Sequence, residues 1–140
     1  MTRTQVRELA FELLYSLEIQ KTPKEEYNEQ IELFLAEQAE DKEKARNYVV
    51  ETINGINENE NEILKLISNS LKEKWDIQRI SKINISILKL ATYEIVYVKL
   101  PYKVVVNEAV EIAKKYGDNN SPAFVNGALA NIIIQTGSST

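Results

Sequence analysis

Apolar residues recur along this chain at helical spacing. Val6, Leu9, Ala10, Leu13, Leu14 and Leu17 fall at i, i+3, i+4, i+7, i+8 and i+11, which places them on one helix face. Thr22 then reads as the N-cap of a second helix, with Pro23 at its first position and Glu25 closing a capping box. Its inward face is Tyr27, Ile31, Phe34 and Leu35. Asp41 caps a third helix carrying Ala45, Tyr48, Val49, Thr52, Ile53 and Ile56, and the Asn54-Gly55 pair inside it either ends or weakens it. Ile63, Leu64, Ile67 and Leu71 form a fourth apolar set.

The segment Ile83-Asn84-Ile85-Ser86-Ile87 alternates like a strand. The longer pattern of Ile80, Ile83, Ile87, Leu90, Ala91, Ile95 and Val98 is helical over nineteen residues and outweighs it. Leu100-Pro101 ends that helix, because a residue before proline is pushed out of the α region. Val106, Ala109, Val110 and Ala113 mark the next, stopped at Gly117. Ser121-Pro122 reads as cap and first turn of a last helix running to Ile132–Ile134, where Gly127 is expected to admit a close backbone approach. The expectation is an all-α fold of about seven helices in two small bundles, a single domain over 1–140 with subdomains near 1–57 and 58–136 that share a core.

Composition narrows the chemistry. With no His and no Cys, an imidazole base, a thiol nucleophile, disulfides and thiolate or imidazole zinc sites are excluded. The four glycines are scattered at Gly55, Gly117, Gly127 and Gly137, so there is no phosphate-binding loop. No acidic motif has metal-loop spacing. Hence no catalytic residue, metal site or cofactor is expected, and the chain reads as a non-enzyme. No apolar run approaches the ~18–20 residues of a membrane span, and the N-terminus lacks a signal-peptide core, so the expectation is a cytoplasmic protein without a membrane partner.

The net charge of −4 is unevenly distributed: +1 over residues 1–24, −9 over 25–62 and +4 over 63–140. That segregation favours a localised contact with a polyanion over an all-round one. Two clusters suit a single strand, where cations meet phosphates and rings stack on bases. One is Arg3, Arg7, Phe11 and Tyr15, every fourth residue of the first helix, beside its leucine stripe. The other is Lys114, Lys115, Tyr116, the polar turn Asp118-Asn119-Asn120-Ser121, and Phe124, where the next helix's N-terminal N–H groups favour a phosphate. The alternative is that the rings pack into the core, which the first cluster favours and the second leaves even. The lone Trp75, beside Asp76, Ile77, Gln78 and Arg79, suits an anchor for a protein partner or a seal between bundles.

The motifs resemble those of the NusB family of bacterial transcription antitermination factors. Arg7-Glu8-x-Ala10-x-x-x-Leu14-Tyr15 resembles its opening helix, and Arg79-Ile80 with Ile87-Leu88-x-Leu90-Ala91-x-Tyr93-Glu94 its central one. Pro101-Tyr102-Lys103-Val104-x-x-Asn107-Glu108-Ala109-Val110-Glu111-x-Ala113-Lys114 resembles its penultimate helix, and Phe124-Val125-Asn126-Gly127-x-Leu129 its last. The resemblance implies an all-helical fold of two small bundles. It implies binding to the single-stranded boxA element of nascent ribosomal RNA together with a small-subunit ribosomal protein, NusE, and joining the RNA polymerase antitermination complex. Arg3, Arg7, Tyr15, Lys114, Lys115, Tyr116, Asn120 and Phe124 are then the expected RNA contacts, forming one cationic, ring-bearing ledge. Trp75, Gln78, Arg79 and Asn84 are the expected partner contacts, and a homodimer is left open.

Many family members carry an arginine-rich N-terminal arm, whereas Thr4, Gln5 and Val6 separate only two arginines here. Two to four phosphate contacts give a log–log salt slope of roughly −1.4 to −2.8 on single strands. RNA affinity is therefore expected mainly in the complex with the basic partner. The competing readings are a helical protein adaptor with little RNA binding of its own, and the helical RNA-recognition domain fused to certain RNA methyltransferases. The chain's end at Thr140 and its lack of a Gly-rich loop after a strand speak against the latter.

Overall fold

The computed structural model describes residues 1–37, 42–71 and 76–138. Among the described residues there are seven α-helices and no strand: α1 (Arg3–Gln20), α2 (Tyr27–Ala36), α3 (Lys42–Glu58), α4 (Glu60–Ser70), α5 (Lys82–Tyr93), α6 (Tyr102–Tyr116) and α7 (Ser121–Thr136). The chain divides into two compact units, Met1–Glu58 and Asn59–Thr140.

In the first unit α3 packs against both α1 and α2. Helix α1 starts with a capping box: the Gln5 N–H donates to Thr2 Oγ1 at 3.1 Å, and the Thr2 N–H donates to Gln5 Oε1 at 2.7 Å. It ends in a left-handed Lys21 (φ 52°), where the Lys21 and Thr22 N–H groups close on the carbonyls of Glu18 and Leu17. The backbone of Thr22 thus finishes α1, and its expected cap role is corrected: one 3₁₀ turn over Lys24–Glu26 precedes α2, and neither is opened by a side-chain cap bond. Ile31 and Leu35 of α2 and Ala45, Val49, Ile53 and Ile56 of α3 are buried where the helices pack. Helix α3 runs through Asn54-Gly55 to Glu58, because buried Ile53 and Ile56 on either side outweigh the local cost of glycine. The Asp41 cap falls outside the described residues.

In the second unit α5 is the central helix, packed on α4, α6 and α7. Every residue from Ile85 to Thr92 is buried, so over these residues the helix has no solvent face and apolar residues need not keep to one stripe. The Ser81 hydroxyl caps α5 by accepting the Asn84 N–H at 3.1 Å. Its expected continuation widens into a π-helical turn, Glu94–Val98, closed by a left-handed Lys99 (φ 62°) and a Leu100 N–H bond to the Glu94 carbonyl. Tyr97 stacks on Tyr93 in this turn, with ring centroids 5.9 Å apart. Its hydroxyl is enclosed, and burial first, then the nearby Glu62 carboxylate, push its pKa up to about 12.

Helix α6 turns Val105, Ala109, Ile112 and Ala113 inward, one residue round from the expected face, so Val106 borders a surface groove instead. Helix α7 is fastened to α4 by two side-chain bonds: Asn131 Nδ2 donates to the Ser70 carbonyl at 2.9 Å and Gln135 Nε2 to that of Leu66 at 3.1 Å. Gly137 (φ 64°) ends it.

Candidate nucleic-acid interface

Local capping decides what the α6–α7 corner presents. Helix α6 stops at Gly117, whose backbone is extended (φ −87°, ψ −173°) and not left-handed, while its N–H still reaches the Ala113 carbonyl at 2.9 Å. Glycine is needed here for space. A Cβ would sit 2.8 Å from the Ala113 carbonyl oxygen and closer still to the Ser121 side chain. Ser121 is itself buried, and its Oγ accepts the Asp118 N–H at 3.1 Å. In return Asp118 Oδ1 accepts the N–H groups of Asn120 at 2.8 Å and Ser121 at 3.1 Å, and lies 3.3 Å from the Ser121 hydroxyl that donates to it. Asp118 and Ser121 therefore form a reciprocal cap across an Asx turn. The expectation that Ser121 caps α7 and leaves N–H groups open to a phosphate is corrected on both counts. The N-cap position is Asn120, Ser121 is the first residue of the helix, and the Asp118 carboxylate takes the N–H groups of Asn120 and Ser121. The Asp-x-x-Ser spacing is the sequence signal for it.

Around that cap, Lys114 Nζ pairs with Glu111 at 3.2 Å, both side chains more than half exposed, so water screens the pair and it is cheaply broken. Lys115 Nζ lies 5.4 Å from the centroid of the Tyr116 ring, a cation–π contact that presents charge and ring together. Tyr116 is half-buried and Asn120 exposed. Phe124, also half-buried, borders a groove of about 300 Å³ lined by Ser70, Leu71, Gly127 and Asn131. Gly127 faces this opening with nothing within 4 Å of a Cβ position, so the expected close backbone approach is absent. Of the second cluster, then, Lys115, Tyr116, Asn120 and Phe124 share one corner, with Lys114 held by Glu111.

The first cluster is split by burial. Arg3 is exposed in the first turn of α1, a turn without acidic residues. Arg7 is 2% exposed and Phe11 1%. Arg7 is engaged within the protein, so its expected role as a solvent-facing phosphate contact is corrected: a buried guanidinium held by internal interactions does not turn out to a strand without a large desolvation and pairing cost. The buried face of α1 is broad enough to take in the neighbouring i, i+4 row. Tyr15 stays half-exposed at its edge, stacked on Phe11 with centroids 6.2 Å apart.

Of the expected partner contacts, Trp75 lies outside the described residues. Gln78 and Arg79 are exposed on a 3₁₀ turn, Ile77–Arg79, which Asp76 caps by accepting the Gln78 N–H at 3.0 Å. Asn84 is half-buried in the first turn of α5, with its Oδ1 enclosed and unbonded. Among the described residues no group of three or more acidic side chains is placed to hold a metal ion, and no helix is long and apolar enough to cross a membrane.

Comparison with known proteins places this arrangement. The family model described as the NusB family matches residues 4–133. The transcription antitermination protein NusB of Clostridium novyi (strain NT) is 43% identical over 135 residues, covering 95% of this chain and 98% of that protein. Among solved structures, T. maritima NusB superposes with a TM-score of 0.86 at 37% identity, covering 96% of this chain and 92% of that one. A chain from the crystal structure of the antitermination factors NusB and NusE in complex with dsRNA shares the fold, with a TM-score of 0.83 at 24% identity and coverage of 96% and 99%. With a family model matched nearly end to end, and relatives of this identity spanning both sequences, the chain belongs to the NusB family.

Proposed function

We propose that this protein is a cytoplasmic transcription antitermination factor that binds the boxA element of nascent ribosomal RNA as a single strand, jointly with NusE, and enters the RNA polymerase antitermination complex. Family membership supports the role, and the corner of Lys115, Tyr116, Asn120 and Phe124 is the observation that carries the RNA contact. Arg3 and Tyr15 supply a further cation and ring from the first unit. Gln78, Arg79 and Asn84 are the proposed partner contacts within the second unit.

The small number of cations in the two clusters sets the mechanism. With Arg7 buried, Arg3, Lys115 and a readily released Lys114 leave two or three phosphate contacts, for a salt slope of roughly −1.4 to −2.1 on single-stranded RNA. The isolated protein then binds weakly, and NusE supplies the missing positive charge. The test is a titration of a short single-stranded boxA RNA with and without NusE at two salt concentrations. Tight binding appears only with NusE, and Lys115→Ala combined with Tyr116→Ala weakens it about tenfold or more. Nanomolar binding by the isolated protein at physiological salt, with no gain from NusE, refutes the shared-charge mechanism. The adaptor reading takes its place if Arg3→Ala with Lys115→Ala leaves RNA affinity and antitermination intact. A homodimer joined through these same residues would be dissolved by boxA RNA, which sedimentation measures.

A further inference from the structure

We propose that the groove between α4 and α7 is a base pocket: it takes one nucleobase of the bound RNA, and Asn131 Oδ1 accepts a hydrogen bond from the base edge. The inference rests on the reading above that the neighbouring corner meets RNA. Four observations carry it. The groove, about 300 Å³, begins at Phe124, which also belongs to the corner of Lys115, Tyr116 and Asn120, so the two surfaces are continuous. Its lining is uncharged: no charged residue follows Asp118 in the chain, and Ser70 and Leu71 complete the wall. The cations of the corner therefore suit phosphates, and the groove suits a neutral base. Gly127 stands in the middle of α7, where glycine weakens a helix, yet nothing lies within 4 Å of a Cβ position there. Packing within the protein does not call for glycine at this position; close approach of a ligand to the helix backbone does. Finally, Asn131 Nδ2 donates to the Ser70 carbonyl at 2.9 Å, which fixes the amide plane and decides which end is the oxygen. No described residue donates to that Oδ1, so the groove lining holds a preset acceptor.

Phe124, Gly127 and Asn131 fall at i, i+3 and i+7 of α7, on one side of the helix over about 10 Å. A base lying over Gly127 has the Phe124 ring at one end of the groove and the Asn131 acceptor at the other. Every base carries an amino or imino N–H on its pairing edge, so Asn131 sets the orientation of the base. An uncharged groove also suits an apolar side chain of a protein partner. Continuity with the cations of the corner favours RNA, and the experiment separates the two.

The experiment measures the full chain with NusE and a short single-stranded boxA RNA, intact or with one abasic nucleotide at each position in turn, with thermal melting as a check on the fold. Gly127→Leu puts a side chain into the groove and a better helix former into α7. It is expected to melt no lower than wild type and to bind the intact RNA about fivefold or more weakly. One abasic position is expected to cost the wild type a similar factor and to cost Gly127→Leu nothing further, because base and pocket are lost as one unit. Ala123→Leu, in the same lining, repeats the measurement if Gly127→Leu melts well below wild type. Wild-type RNA affinity in the filled variants, while Lys115→Ala with Tyr116→Ala weakens binding, overturns the pocket and leaves the RNA reading standing. Loss of NusE binding by Gly127→Leu in the absence of RNA gives the groove to a protein partner and overturns the pocket as well. If neither the filled groove nor the Lys115–Tyr116 pair alters the affinity, the corner does not meet RNA and both fall.

Discussion

Gly117 and Gly127 flank the same corner, ten residues apart, and alanine at the two positions is expected to move stability in opposite directions. At Gly117 the new methyl group would press on the Ala113 carbonyl, which is backbone and cannot swing away, and on the Ser121 side chain. Relieving the clash displaces Ser121, which both donates to Asp118 and accepts from it. Loss of that cap costs about 1 kcal/mol and the forced displacement about 2 kcal/mol, offset by up to about 1 kcal/mol from a stiffer unfolded chain. The net loss is about 2–3 kcal/mol. For a chain of 140 residues this lowers the melting temperature by about 7–10 °C. At Gly127 a Cβ meets nothing within 4 Å in the middle of α7, so alanine gains helix propensity and raises the melting temperature by about 3 °C. Thermal unfolding of both variants, followed by far-ultraviolet circular dichroism and by calorimetry, makes the comparison. Gly117→Ala melting with the wild type, or Gly127→Ala melting well below it, would refute the packing argument.

Two further predictions concern the second unit. Asn131→Ala removes a bond to Ser70, the last residue of α4, whose carbonyl has no intrahelical partner; it costs about 1 kcal/mol relative to Asn126→Ala on the same helix, measured by denaturant titration. Because the folded state holds the Tyr97 hydroxyl neutral to about pH 12, the unfolded chain releases that proton first as pH rises past 10. Stability present below pH 10 is therefore lost between pH 10 and 12, at no more than about 1.4 kcal/mol per pH unit, and Tyr97→Phe removes that component. Equal slopes for the two proteins would count against a raised Tyr97.

The sequence by itself determined which segments are helical and where each begins and ends to within a few residues. Apolar spacing, prolines and caps act over one or two turns, so α1 through α7 were legible, including α5, where nineteen residues of helical spacing overrode five of strand alternation. The family motifs were legible for the same local reason. Tertiary structure decided which of two adjacent rows on a helix meets solvent. Arg7 and Phe11 stand beside the leucine stripe in both readings, yet only packing settles that α1 buries a face broad enough to enclose them, leaving Arg3 and Tyr15 outside. Packing likewise separated Val105 from Val106, and Gly117, pressed against Ser121, from Gly127, open to a groove. Hydrogen bonding across the corner gave the Asn120 and Ser121 N–H groups to Asp118. Periodicity encodes direction around one helix axis. How far a neighbouring helix covers that direction, and which acceptor reaches a free N–H first, are properties of two or more segments in contact.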